Sequence, residues 1–164
     1  MFVAFETLPD ESRIWIYQAD RELTPEEQRQ ITALGQGFMG QWATHGQPLH
    51  ASLAILKNYF LVIGVDDRQL PSGCSIDASV GFVREVGNRL QLDFFNRTRV
   101  PLLINDTVKT VPLTEVKDQI RHGAVSEDTL LVNTLVQQKG DLSHWIVSVK
   151  ESWLGRYLPQ AQPK

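Results

Sequence analysis

The residues equipped for chemistry gather in a few short strings. The single cysteine, Cys74, lies within Ser72-Gly73-Cys74-Ser75-Ile76-Asp77. Apolar residues recur after it at Val80, Val83 and Val86, helped by Phe82 and Leu90, and this pattern predicts a helix capped by Ser75 or Asp77. A helix N-terminus offers free N–H groups and the positive end of the dipole, which together lower a thiol's pKa. The flanking glycine and serines suit a turn whose N–H groups could hold an anion or an oxyanion. A nucleophilic thiol also needs a base, and His45 and His50 are the candidates. On that reading Cys74 attacks a carbonyl, His45 or His50 takes its proton, and the reaction is acyl transfer or hydrolysis. The plainer reading makes Cys74 a small residue at the start of a helix, with Ser72, Ser75 and Asp77 serving as caps.

A second string, Trp42-Ala43-Thr44-His45-Gly46 with His50 nearby, reads first as an aromatic core anchor with a polar tip. Arg97 and Arg99 alternate along an extended stretch, where they could clamp a carboxylate or phosphate, or pair with an aspartate such as Asp93. Asp66, Asp67, Asp77 and Asp93 could converge on a divalent cation, but acids in loops and caps explain them as well. No two of His45, His50, His122 and His144 have the spacing of a helical metal pair. Gly35, Gly37 and Gly40 fit G-x-G-x-x-G, yet they fall late in a helical pattern rather than between a strand and a helix. No Walker A string occurs. The sequence therefore implies no cofactor and no metal.

These residues must be positioned by an alternation of strands and helices. Arg13–Gln18 reads as a strand. Thr24, Pro25 and Glu27 form a capping box with proline at the first helical position. Ile31, Leu34, Phe38 and Trp42 then make one helical face that ends at His45-Gly46, with Gly46 as the left-handed cap. Leu49–Leu56 and Tyr59–Val65 make a hairpin through Lys57-Asn58. The helix after Cys74 leads into a strand at Leu90–Phe95. The order is that of a ferredoxin-like βαββαβ core, an antiparallel-dominated sheet with helices on one face. Beyond it, Val100–Ile104 and Thr107–Val111 pair through Asn105-Asp106, with Pro101 marking an edge strand. Leu113–Arg121 and Asp128–Gln138 read as short helices, and the aromatic stretch Trp145–Tyr157 as an extension that folds back. The expectation is one α+β domain over residues 1–158 and a disordered tail over 159–164.

With 164 residues, 42% hydrophobic and 21% charged, the chain suits a folded globular protein and is too apolar for a disordered one. One cysteine excludes an internal disulfide and a multi-cysteine zinc site. A net charge of −3 argues against a nucleic-acid binder. The acidity is concentrated at the front, where the first 28 residues carry seven acids and two bases. No run approaches the roughly 18 apolar residues of a membrane span, and the first residues lack the features of a signal peptide, so a cytoplasmic location is expected.

Ser12–Gln18, Trp42–Gly46, Ser72–Asp77 and Asn133–Val136 together resemble a family of small uncharacterised bacterial proteins of similar length, with Ser-Gly-Cys-Ser-Ile-Asp as the most specific string. Some members are labelled transporter ATPases, a label the missing Walker A string does not support here. The resemblance implies a bacterial, cytoplasmic protein and draws attention to Cys74. The residues point to a non-catalytic binding or interaction domain for a small anionic ligand or a peptide. Its site would involve Trp42, Ser72, Gly73, Ser75, Asp77 and Arg97. The thiol-dependent hydrolase or acyltransferase is the alternative. The partner is a small ligand or a protein, with no nucleic acid and no membrane. The oligomeric state is open.

Overall fold

In the computed structural model, residues 1–159 are described, and of the tail expected at 159–164 all but the first residue lie outside them. The chain divides into two compact units. One comprises Met1–Asn96 with Thr134–Leu142, and the other Arg97–Asn133 with the residues from Ser143 on. Both are α+β with antiparallel sheets.

The first unit is built on β1 (Arg13–Gln18), α1 (Pro25–Gln41), the two-residue strands β2 (Ala43–Thr44) and β3 (Gln47–Pro48), β4 (Ala51–Leu56), β5 (Phe60–Val65) and α2 (Gly73–Leu90). Its main sheet has the order β1-β5-β4, antiparallel throughout, with Ile14 and Ser52 opposite Gly64. Every residue of β5 is buried. Both of its faces are covered, which is why Phe-Leu-Val-Ile-Gly-Val runs apolar without alternation. On one face α1 packs so closely that a Cβ at Gly35 would lie 2.7 Å from Leu53 Cδ1. On the other, Leu8 and Phe5 lie over Gly64, where a Cβ would come within 2.8 Å of Leu8 Cδ1. The hairpin turn holds Lys57 and Asn58 in the left-handed region, at φ 54° and 58°.

The capping box at Thr24 and Glu27 forms as the sequence predicts. Three other expectations for this unit are corrected. α1 ends at Gln41, and His45-Gly46 is the turn of the small β2–β3 hairpin, with φ of 48° and 78°. Ser72, not Ser75 or Asp77, is the N-cap of α2. The strand expected at Leu90–Phe95 is not one. α2 runs on to Leu90, Gln91 takes a left-handed cap conformation, and the Leu92 N–H returns to Gly87 O at 2.8 Å. Leu92 and Phe94 are buried, so their apolar character goes to a chain folded back on the helix end. The βαββαβ set is therefore incomplete. The outer edge of β1 is met by residues 137–139, through Ile14 N–H to Gln137 O and Lys139 N–H to Ser12 O, both 2.9 Å.

The second unit holds β6 (Arg99–Ile104), β7 (Thr107–Pro112), α3 (Leu113–Arg121), β8 (Leu130–Val132) and β9 (Ile146–Ser148), with the sheet order β7-β6-β8-β9. The β6–β7 hairpin and α3 lie where the sequence places them. Pro101 does not mark an edge: β6 pairs on both sides, and its ladder to β8 involves Leu102 and Leu103, just past the proline that cannot donate. The helix expected at Asp128–Gln138 is replaced by β8 and a turn. Leu131 and Val132 are buried in strand geometry, while Leu135, which completed the helical pattern, is 72% exposed. The C-terminal stretch folds back as expected, and Val149 and Leu154 join Val100, Leu102, Val116, Ile120 and Leu131 in one core. Among the described residues, no helix is long and apolar enough to cross a membrane.

Candidate functional site

The start of α2 is fixed to the segment after α1 by a closed hydrogen-bond network. Buried Trp42 donates its indole N–H to Ser75 O at 2.9 Å. Ser75 Oγ donates to Ala43 O at 2.7 Å and lies 2.9 Å from Ser72 Oγ. Ser72 Oγ accepts from Ser75 N–H at 3.2 Å, and Ser72 N–H donates to Thr44 Oγ1 at 3.0 Å. Phe38 packs on Trp42 with ring centroids 5.4 Å apart and stacks on Phe82 at 4.7 Å. The serines and the indole are thus engaged within the protein, and what they accomplish is rigidity.

That rigid frame surrounds a cleft of about 710 Å³, lined by Phe38, Trp42, His45, Gly73, Cys74 and Ala78 together with Gln41, Ala43, Ser72 and Ser75. Of the residues singled out from the sequence, Trp42, His45, Ser72, Gly73, Cys74 and Ser75 are brought together here. Phe38 and Ala78 line it too. Their signal in the sequence was the helical spacing of Phe38 and Trp42, which reads equally as core packing.

Cys74 is exposed in the first turn of α2, at the second helical position. The first-turn N–H groups of a helix lack intrahelical partners. Here Ser72 Oγ takes that of Ser75, and Gly73 and Cys74, the first two helical residues, line the cleft. The cleft thus joins a largely apolar wall to the first turn, the positive end, of an 18-residue helix. His45, at the tip of the β2–β3 turn, shares the cleft with Cys74, but no hydrogen bond joins the thiol to a histidine ring among the described residues.

The other candidates lie elsewhere. His50 uses its backbone, donating N–H to Gln69 Oε1 at 2.7 Å and accepting from Asp66 N–H at 2.9 Å. Asp77 is exposed on α2. Arg97 is the first residue of the second unit. Arg99 donates to Thr110 O at 2.7 Å, a bond within the β6–β7 hairpin. The aspartates considered for a cation do not converge. Asp66 is held by Arg68, with Nη2 to Oδ2 at 2.6 Å, and Asp93 Oδ1 accepts from Phe95 N–H at 2.8 Å. Among the described residues no group of three or more potential ligands could hold a metal ion. Gly35, Gly37 and Gly40 all lie inside α1, away from any strand-to-helix turn.

No family model matches the chain, and no curated protein or solved structure is significantly similar to it.

Proposed function

We propose that the chain is a non-catalytic binding domain whose cleft at the start of α2 takes a small ligand or peptide joining one anionic group to an apolar body. The observation that carries this reading is the composition of the cleft. Phe38, Trp42 and Ala78 supply apolar surface, and Gly73 and Cys74 bring the positive end of α2 to the cleft as an anion-holding rim. The network around Ser72 and Ser75 keeps the rim preformed, so little ordering cost falls on the ligand. The resemblance carried by the Ser72–Asp77 string agrees with a role for this turn in a bacterial, cytoplasmic protein.

The test is a thermal-shift screen against carboxylates, phosphates and peptides with free C-termini, repeated on Gly73→Asp. Among the described residues a Cβ at Gly73 would meet nothing within 4 Å, and an acid in the first turn favours the helix. The variant therefore folds at least as well as the parent and loses the ligand-induced rise in Tm. A screen without hits, or hits that Gly73→Asp leaves intact, contradicts the reading.

A second reading is favoured by the shared cleft of Cys74 and His45: a thiol-dependent hydrolase or acyltransferase with Cys74 as nucleophile. It predicts that iodoacetamide alkylation of Cys74 slows when His45 is replaced by Ala. An unchanged rate removes it.

A further inference from the structure

The outer face of the α1–α2 pair carries a second concavity of about 520 Å³. The stacked rings of Phe38 and Phe82 lie among small wall residues, Ala33 and Gly37 from α1 and Ala78 and Gly81 from α2. Among the described residues, a Cβ at Gly37 or Gly81 would meet nothing within 4 Å, so no contact there requires these positions to be bare. Bare positions on neighbouring helices let another helix approach closely, because interaxial distance follows the side chains at the contact.

The exposed ridge beside this groove indicates which helix. Asp77, Gly81, Glu85 and Arg89 follow one another at intervals of four along α2, and all four are exposed. Laid antiparallel on itself, this ridge places Asp77 opposite the partner's Arg89, Gly81 opposite the partner's Glu85, and the converse at the other end. Both pairings at the ends are of opposite charge, and the glutamate faces a residue with no side chain. A parallel arrangement would set Asp77 against the partner's Asp77. We propose that a second copy of this chain docks on this face, giving a two-fold dimer with antiparallel α2 helices whose axis passes at the level of residue 83. Such an interface is isologous, each patch meeting its own copy. Arg89, which pairs with Glu85 at 2.9 Å on the exposed surface, is then shared with the partner's Asp77. The groove shares Phe38 and Ala78 with the ligand cleft, but Asp77 and Arg89 lie outside the cleft lining, so charge reversal at these two positions tests the dimer and not the cleft.

Sedimentation equilibrium on the full chain tests it, with circular dichroism confirming that each variant is folded. The parent is expected to reach the mass of two chains as concentration rises. Asp77→Arg or Arg89→Asp alone weakens association by about tenfold or more, since each creates two like-charge contacts. Combining both reverses every pair and restores association to within about threefold of the parent. A chain that stays monomeric at all concentrations overturns the proposal. So does a dimer indifferent to the single reversals, or one that the double exchange does not restore.

Discussion

Ser75 is the residue on which the geometry of the cleft turns. It is buried and donates to Ala43 O while its own carbonyl receives the Trp42 indole. Ser75→Ala leaves the Ala43 carbonyl without that donor and should cost about 1–3 kcal/mol in urea unfolding. Trp42→Phe removes the indole donor to Ser75 O along with ring area, and should cost about as much. A loss below about 0.5 kcal/mol for either would mean that the bonds are exchanged for water without penalty. The site was legible in the sequence as a set of residue types: Trp42, His45, Ser72, Gly73, Cys74 and Ser75 do converge. Their roles were less legible. Ser72 and Ser75 are each within reach of a free N–H in a one-dimensional pattern, and only the return of Ala43 and Thr44 to the helix start decides that Ser72 caps and Ser75 ties the two segments together. His50 and Asp77 stood near in sequence, but neither lines the cleft: His50 lies between β3 and β4, and Asp77 is on an exposed position of α2.

The glycines separate the elements by what surrounds them. Inside α1, a Cβ at Gly37 or Gly40 would meet nothing within 4 Å among the described residues, so Gly37→Ala and Gly40→Ala should each raise the stability of the monomer by about 0.5–1 kcal/mol through helix propensity. Gly87→Ala should do the opposite by more than about 1 kcal/mol, because the new Cβ would lie 2.5 Å from Leu92 O, a backbone atom that cannot step aside cheaply. Equal signs for the two classes in a denaturant titration would refute this account of the packing. Elements with local punctuation were readable in advance: the Thr24–Glu27 capping box, the Lys57-Asn58 and Asn105-Asp106 turns, and α3 behind Pro112. Those lacking it were not. Leu90–Phe95 has strand composition, but Gly87 permits the chain to fold back on the end of α2, and no local rule reports that. Leu131, Val132, Leu135 and Val136 satisfy a helical period, and only pairing with the distant β6 and β9 selects a strand.

At the scale of the whole molecule, acid sensitivity follows from two carboxylates of the first unit. The Arg21 guanidinium, with the Thr24 backbone, holds Glu27 at about 2, and the Arg68 side chain and N–H hold Asp66 at about 2. Both values are depressed from the ordinary ones of 4.5 and 3.8, so their contribution is fully present above those values and is lost as pH falls towards 2. Unfolding free energy should decline over that window, and Asp66→Asn should lower stability at neutral pH while flattening part of the acid slope. An unchanged slope would show that the Asp66–Arg68 pair contributes nothing. Charge is also distributed unevenly, with the acidic first quarter lying wholly within the first unit. A binding cleft at the start of α2 is read out by the alkylation rate of Cys74, the single thiol of the chain and part of the cleft wall. With a stabilising anionic ligand at saturation, the rate should fall about tenfold or more, in proportion to occupancy, and His45→Ala should leave the unliganded rate unchanged. A rate that the ligand does not alter, or one that collapses with His45→Ala, would rule out a non-catalytic binding cleft at Cys74.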